Sequence, residues 1–141
     1  MKNIIERKVY YADTDTYGVV WHGAYLTWME QGRVEWCKDS GISLRYLMEE
    51  KDILIPVVNI NIRYKASAKI EDEIIIETEV EKFNNLTATF RQKILSKSDG
   101  KLFVDATVDI VATNAQGKLY RRMPQELIEV FESKDKVLCP A

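Results

Sequence analysis

Apolar and polar residues alternate along most of the second half of the chain. The clearest run is residues 102–112, and similar runs cover residues 58–65, 74–81 and 86–94. A period of two that uses β-branched and aromatic residues is typical of half-buried strands. The breaks between the later runs are short, which suits hairpins rather than parallel crossovers of a dozen residues. With a further alternating run over residues 5–11, the sequence predicts an antiparallel sheet of about five strands with one apolar face.

The pattern changes to a helical period over residues 23–38. Tyr25, Met29, Gly32 and Trp36 lie on one stripe, and charged residues occupy the other side. This arrangement predicts an amphipathic helix of about four turns. Glycine lowers helix propensity, so we expect Gly32 to mark a close approach of the helix to the sheet.

Smaller features complete the predicted layout. Gly41 suits the C-terminal cap of the long helix, and residues 43–50 suit a shorter helix that follows it. Residues 124–131 suit a last short helix or an edge segment. Glu30 and Arg33 are spaced i, i+3 on the long helix, which predicts a surface ion pair.

Only one long helix is predicted to cover the apolar face of the sheet. The economical architecture is therefore α+β, with one long central helix wrapped by a single curved antiparallel sheet. Ile75, Phe103 and Val111 fall on the opposite face of the strands. An exposed apolar row of this kind favours a partner subunit, because monomers rarely leave such patches open. Ordinary surface scatter is the alternative.

Length, composition and charge narrow the class of protein. A chain of 141 residues that is 46% hydrophobic and 30% charged predicts one globular domain over residues 1–141. The formal net charge of −2 creates no basic field for nucleic acid or an anionic membrane. Residues 1–8 are too charged for a signal peptide, and no run is long enough for a membrane span. Cys37 and Cys139 lack metal-ligand spacing and indicate reduced thiols in a cytoplasmic protein.

The candidate chemistry is concentrated in residues 10–25, between the first strand and the long helix. Asp15 suits either a turn or a nucleophile and general base. His22, the only histidine of the chain, suits either a satisfied polar residue or a group that handles protons. We expect Asp13 to hold the loop through hydrogen bonds. The unpaired amides at the helix start suit an oxyanion formed during acyl transfer.

Other chemistries find little support in the sequence. One histidine and no cysteine cluster leave only carboxylates for a metal, so no metal is predicted. The chain has no Gly-rich phosphate loop, no Gly-x-Ser-x-Gly elbow and no cysteine partnered with a histidine.

The motif Tyr-x-Asp-Thr-Asp-x-x-Gly-Val-Val-Trp-His-x-x-Tyr, followed by Trp28, Glu30 and Arg33, carries a resemblance. It resembles the signature of the hotdog-fold acyl-CoA thioesterases. More narrowly, it is similar to the 4-hydroxybenzoyl-CoA thioesterase-like branch that includes the Tol-Pal-associated enzymes. The resemblance implies a hotdog fold, hydrolysis of an acyl-CoA thioester and no cofactor. It also implies a homodimer or homotetramer whose sites are shared by two chains.

The resemblance also assigns roles within the motif. Asp15 is the position of the family's catalytic carboxylate, and His22 is expected to orient the substrate or assist catalysis. The backbone N–H at about residue 22 is expected to polarise the thioester carbonyl. Gly23 and Tyr25 follow at the helix start and are predicted to bind substrate.

Coenzyme A carries phosphates, so a local basic patch is expected despite the negative net charge. The candidates are Arg63, Lys65, Lys118, Arg121 and Arg122, of which we assign Arg63 and Arg121 to substrate binding. Where a relative carries a basic cluster after the third strand of the sheet, this chain has Asn84 and Asn85.

Three alternatives remain open from the sequence. The enzyme could act on acyl groups carried by an acyl carrier protein, which would require a broad basic rim. A hotdog hydratase is less consistent with this Asp and His arrangement. A non-catalytic acyl-CoA-binding hotdog protein would retain binding without turnover. The length and type of the acyl group are not predicted.

Overall fold

A computed structural model describes residues 1–137, and for residues 133–137 it describes the backbone alone. The regular elements are, in chain order, β1 (Lys2–Lys8), α1 (His22–Asp39), α2 (Leu44–Lys51), β2 (Val57–Tyr64), β3 (Glu73–Phe83), β4 (Ala88–Ser96), β5 (Leu102–Ile110) and α3 (Gln125–Val137). A 3₁₀ turn at Tyr11–Asp13 lies between β1 and α1. Among residues 1–137, none of the helices combines the length and apolar character needed to span a membrane.

The five strands form one antiparallel sheet in the order β1-β3-β4-β5-β2. Helix α1 packs against β1, β3 and β4 on one face of this sheet. The predicted layout, a long helix against a five-stranded antiparallel sheet, is therefore confirmed. Helix α3 adds Phe131 to the core, where its ring stacks on Trp36 with centroids 5.8 Å apart.

The helix boundaries follow from local capping. The side chain of Ser43 accepts the N–H of Tyr46 and begins α2. Gly41 has a φ of 86° just after α1 ends, a conformation that glycine adopts readily. The predicted last helix over residues 124–131 is confirmed and is longer than expected, because α3 continues to Val137.

Gly32 marks a close approach of α1 to the sheet, as predicted. A Cβ built on it would lie 2.5 Å from Thr78 Oγ1 and 3.0 Å from Gln92 Nε2. Gln92 Nε2 donates to the carbonyl of Met29 and to Thr78 Oγ1, both at 2.8 Å. The helix therefore meets β3 and β4 through a buried polar network rather than through apolar contact alone.

The ion pair predicted between Glu30 and Arg33 is wrong. Arg33 Nη1 donates instead to Gln92 Oε1 at 3.0 Å. Burial lowers the pKa of the Arg33 guanidinium, and the nearby Glu30 carboxylate opposes that effect. The guanidinium points toward the sheet because Gln92 offers a buried acceptor there.

The first strand ends earlier than predicted. Strand β1 stops at Lys8, and the backbone N–H of Tyr10 donates to Asp13 Oδ2 at 2.9 Å. This hydrogen bond belongs to the 3₁₀ turn at Tyr11–Asp13, which begins where the expected strand was predicted to end. It also confirms the structural role expected for Asp13.

The exposed apolar row predicted at Ile75, Phe103 and Val111 is also wrong. Phe103 is 3% exposed and Val111 is 8% exposed in the single chain. Backbone bonds join Phe103 to Lys65 and Val111 to Pro56, so the segments at both ends of β2 run beside these residues. Both residues are buried within the single chain, so they give no argument for a partner.

The exposed apolar residues lie instead on β2, which is an edge strand with β5 as its one neighbour. Val58, Ile60 and Tyr64 are 58%, 40% and 45% exposed. Ile60 and Tyr64 pair with the buried Val108 and Val104 of β5 and therefore share the helix-side face of the sheet. This part of the sheet extends beyond the strands that α1 covers.

Candidate active site

A tight loop over residues 14–20 joins the 3₁₀ turn to α1. Thr14 and Val20 form an antiparallel bridge that closes the loop at its base. Two further backbone bonds anchor it, from Trp21 N–H to the carbonyl of Asp13 and from Val20 N–H to the carbonyl of Ala68. The bridge places Asp15 one residue beyond Thr14, opposite Val19 in the loop, while Trp21 pairs with Asp13 on the other side of the bridge and leads into α1.

The Asp15 carboxylate is exposed and partly engaged. Its Oδ1 accepts the N–H of Tyr17 at 2.8 Å, and its backbone pairs with Val19. Gly18 has a φ of 78°, which lets the loop turn back over these bonds. Oδ2 accepts no hydrogen bond within residues 1–137, so one carboxylate oxygen is free to meet a ligand or a water.

His22 is exposed and is the first residue of α1. No side chain caps this helix end. The N–H groups of His22 and Gly23 find no acceptor in the described part of the chain, while Ala24 N–H already bonds to the carbonyl of Trp21. Two amides without an acceptor and the positive end of the helix dipole therefore lie at the helix start that carries His22.

Two tyrosines, Tyr25 and Tyr64, make contacts at the start of α1. Tyr64 Oη donates to the backbone carbonyl of His22 at 3.2 Å. Tyr25 is 2% exposed, its Oη accepts the N–H of Ala68 at 3.0 Å, and its ring lies 5.7 Å from that of Tyr64. Burial raises the pKa of both phenols, so both stay protonated at neutral pH.

Trp21 folds back over the first turn of α1. Its ring lies edge-on to the His22 imidazole, with centroids 5.5 Å apart and an interplanar angle of 72°. A Cβ built on Gly23 would collide with Trp21 Cη2 and Cζ3 and lie 2.8 Å from Cε3. The indole therefore occupies the space that any other residue at position 23 would need.

An apolar pocket of about 270 Å³ lies between α1 and the sheet. Val34, Leu44, Ile55 and Phe90 line it, with Arg33 among the few polar groups on its wall. Its lining is mainly apolar, which suits an acyl group better than a nucleotide.

The basic residues predicted to contact coenzyme A occupy separate parts of the fold. Arg63 lies on the outer face of β2, in a polar groove of about 340 Å³ that also contains Arg91 and Asp105. Arg121 is exposed in the segment between β5 and α3. The structure places His22, Gly23 and Tyr25 in the first turn of α1 and Asp15 in the loop before it, and it does not join Arg63 and Arg121 into one patch.

The two asparagines that replace a basic cluster have structural roles. Asn84 Oδ1 accepts the N–H groups of Leu86 and Thr87, which closes the β3–β4 hairpin. The carbonyl of Asn85 accepts the N–H of Met123 at 2.6 Å. This turn therefore anchors the segment before α3.

Sequence reasoning missed two residues beside this site. Tyr64 was assigned only to a strand, and Trp21 only to the motif. Neither contact is signalled by local periodicity, since Tyr64 and His22 are 42 residues apart in the chain. Among the side chains that the structure describes, residues 1–132, those of His, Cys, Asp and Glu form no group of three that could hold a metal ion.

Comparison with known proteins places these features in a family. The thioesterase-like superfamily model matches residues 9–131. YneP of Bacillus subtilis, which is named provisionally as an acyl-CoA thioesterase, is 39% identical over 102 residues, or 72% of each chain. The acyl-CoA thioesterase YbgC of Haemophilus influenzae is 30% identical over 124 residues, covering 88% of this chain and 90% of the relative.

Solved structures agree with the sequence comparison. The DHNA-CoA thioesterase of Staphylococcus aureus superimposes with a TM-score of 0.85 and 28% sequence identity, over 98% of this chain and 91% of that one. The α+β architecture is that of the hotdog thioesterases, which confirms the predicted fold. The family model and the relatives together cover the loop, the helix and the sheet that build the site. The chain belongs to the thioesterase-like superfamily.

Proposed function

We propose that the protein is an acyl-CoA thioesterase that hydrolyses an acyl-CoA to a free acid and coenzyme A. The observation that carries the proposal is an exposed Asp15 carboxylate with one oxygen unengaged among the described residues, in the loop that leads into the uncapped helix start at His22. The acyl-CoA thioesterases among the relatives support the same reaction.

The chemistry needs few groups because a thiolate is a good leaving group. In one route, Asp15 attacks the thioester carbonyl, expels coenzyme A thiolate and forms a mixed anhydride that water then hydrolyses. In the other, Asp15 accepts a proton from the water that attacks the carbonyl. In both routes the N–H groups of His22 and Gly23 stabilise the oxyanion, and the His22 side chain orients the substrate.

The remaining parts of the substrate are assigned by chemistry. The acyl group occupies the apolar pocket that Val34, Leu44 and Phe90 line between α1 and the sheet. Gly23 and Tyr25 contact the substrate at the start of α1. Arg63 and Arg121 pair with coenzyme A phosphates. Each phosphate offers several acceptor oxygens, to which a guanidinium can donate two parallel hydrogen bonds. A single domain over residues 1–141 carries out the reaction in the cytoplasm.

We propose that the protein forms a homodimer through β2 and that two such dimers can associate into a homotetramer. The support is an edge strand of eight residues with exposed Val58 and Ile60. Unpaired edges of this kind readily pair with another chain. A partner at β2 would also lie beside Tyr64, which contacts the carbonyl of His22.

The deciding experiment measures thiol release from a panel of acyl-CoAs of different chain length. Asp15→Asn should lower kcat by at least ~100-fold, because that is the scale of a lost acid–base or nucleophilic group. Asp13→Asn is the matched control, since asparagine retains an oxygen that can accept the Tyr10 N–H. It should lose less than about tenfold, because Asp13 does not touch the reacting atoms.

Turnover that survives in Asp15→Asn would remove Asp15 from the chemistry. If the wild type releases thiol from no acyl-CoA but cleaves an acyl carrier protein thioester, the substrate assignment is wrong. Tight binding of acyl-CoA without any turnover would show that the protein is a non-catalytic acyl-CoA-binding protein and not an enzyme.

A further inference from the structure

Trp21 differs from the other two tryptophans of the chain. Trp28 and Trp36 are buried in the core at 5% and 0% exposure, whereas Trp21 is 45% exposed. Core packing therefore does not explain why so large an apolar side chain occupies the residue just before α1. Its position beside the candidate site calls for a different account.

The geometry around the ring supplies that account. The six-membered ring of the indole lies on the α-carbon of Gly23, in space that a Cβ would fill. The same ring is in edge contact with the imidazole of His22. One side chain thus touches both the residue with a free N–H at position 23 and the side chain at position 22.

We infer that Trp21 is a positioning residue for the proposed hydrolysis, with Gly23 as the seat for its ring. The seated ring restricts the His22 imidazole to one orientation and shields the first amides of α1 from water on one side. Aromatic rings are well suited to this, since they bury a large area with few rotatable bonds. Amides that are shielded from water stabilise an oxyanion more strongly. The inference rests on the proposed thioesterase activity.

A competing explanation makes a different prediction for Gly23. Glycine at this position could instead be required so that substrate approaches the backbone closely. In that case a methyl group at position 23 would obstruct the substrate whether or not Trp21 is present. If Gly23 serves as the seat of the ring, the methyl group matters only while the ring is there.

The contact itself is tested by proton NMR on the untagged protein. His22 is the only histidine, so the imidazole C–H signals need no further assignment. An aromatic ring with its centroid 5.5 Å away shifts these signals through its ring current. Trp21→Ala and Gly23→Ala should both move them toward the positions of a free imidazole, and Trp21→Phe should retain part of the shift.

The function of the contact is tested by a double-mutant cycle on thioester hydrolysis. Gly23→Ala should lower kcat by about tenfold to 100-fold with little change in KM, the scale expected for misplaced groups at a reacting centre. Trp21→Ala should cause a similar loss. The double variant should lie within about twofold of Trp21→Ala, because the two changes remove the same contact.

Thermal unfolding guards against a folding defect as the cause. Gly23→Ala in the Trp21→Ala background should fold with an unchanged or raised Tm, because alanine favours helix more than glycine does. If Trp21→Ala fails to fold, the cycle is run with Trp21→Phe.

The outcomes separate the two proposals. Losses that multiply in the double variant, or imidazole signals that are insensitive to both substitutions, overturn the role of Trp21 while leaving the thioesterase proposal intact. A wild type that hydrolyses no thioester overturns the proposed function, and with it any positioning role in that reaction.

Discussion

At the scale of single residues, Gly32 sets how closely α1 approaches the sheet. A Cβ added to Gly32 would meet Thr78 Oγ1 and Gln92 Nε2 first. Both side chains are completely buried, and a hydrogen bond joins them to each other. Because these atoms are fixed by hydrogen bonds, they cannot move aside without breaking the network that also holds Arg33.

Gly32→Ala should therefore destabilise the fold. The added methyl group brings about 1 kcal/mol of helix propensity, but overpacking a rigid core costs roughly 1–3 kcal/mol. Disruption of the buried hydrogen bonds adds about 1–3 kcal/mol for each polar group left without a partner. The free energy of unfolding in urea should fall by about 2 kcal/mol.

Thr27→Ala provides the control, since Thr27 is an exposed position of the same helix. It should change the free energy of unfolding by less than about 0.5 kcal/mol or raise it slightly. Equal stability of Gly32→Ala and the wild type would show that α1 can move away from the sheet at little cost.

At the scale of elements, β2 combines two features that rarely occur together in a monomer. It lies at the edge of the sheet, and its helix-side residues are apolar and exposed. The two faces of the strand differ, because Asn59 and Asn61 alternate with Ile60 and Ile62. A partner is therefore expected on the side of Ile60.

Ile60→Lys should convert the proposed dimer to a monomer. A lysine in an apolar interface must either lose its hydration or displace the partner, and burial of an unpaired charge is strongly unfavourable. The dissociation constant should rise by at least about 100-fold. Sedimentation velocity over a range of protein concentrations measures the change.

Asn61→Lys introduces the same charge on the opposite face of the same strand. It should leave the association state unchanged. If both variants remain dimers, the interface does not involve β2. If the wild type sediments as a monomer at all concentrations, the proposed assembly is wrong.

At the scale of the whole molecule, local pattern predicted the parts of the fold that local forces determine. The alternation in β3, β4 and β5 gave their strands to within a few residues, and the motif located the loop of Asp15 and the start of α1. Pattern failed where distant segments decide the outcome. Phe103 was predicted to be exposed because its own strand does not reveal the tertiary packing that buries it.

The same distinction applies to the candidate site. Asp15 and His22 are seven residues apart, so a short motif is enough to connect them. The seat of Trp21 on Gly23 depends on a rotamer, and the contact of Tyr64 with His22 depends on how β2 lies against α1. Neither contact can be predicted from the spacing of residues in the sequence. The predicted substrate contacts of Arg63 and Arg121 stay predictions for the same reason.

Global stability should depend on pH through the buried thiol of Cys37. Burial raises the pKa of this thiol to about 12, and the nearby Arg33 guanidinium partly opposes the rise. In the unfolded chain a cysteine ionises near ~8.5. Between these two values the folded state binds more protons than the unfolded state, so this contribution to stability is complete below pH ~8.5 and is lost as pH rises toward 12.

Urea unfolding of the wild type and Cys37→Ala, in reductant at pH 7, 8, 9 and 10, measures this term. Cys37→Ala should be less stable at pH 7 because it leaves a small cavity. The difference in the free energy of unfolding should then shrink by about 1–2 kcal/mol between pH 8 and pH 10, since one proton per chain corresponds to ~1.4 kcal/mol per pH unit. A difference that stays constant across this range would show that the folded thiol ionises normally.

The two edges of the sheet have opposite character, and this bears on aggregation. Strand β2 offers apolar residues, whereas β1 carries the exposed charges Lys2, Glu6 and Lys8. If two copies pair through β2, both β2 edges become hydrogen-bonded, and the combined sheet has β1 as its outer strand at each end. Charged edges resist further strand addition. Isologous pairing through β2 would therefore close the assembly at that interface instead of allowing an open fibre.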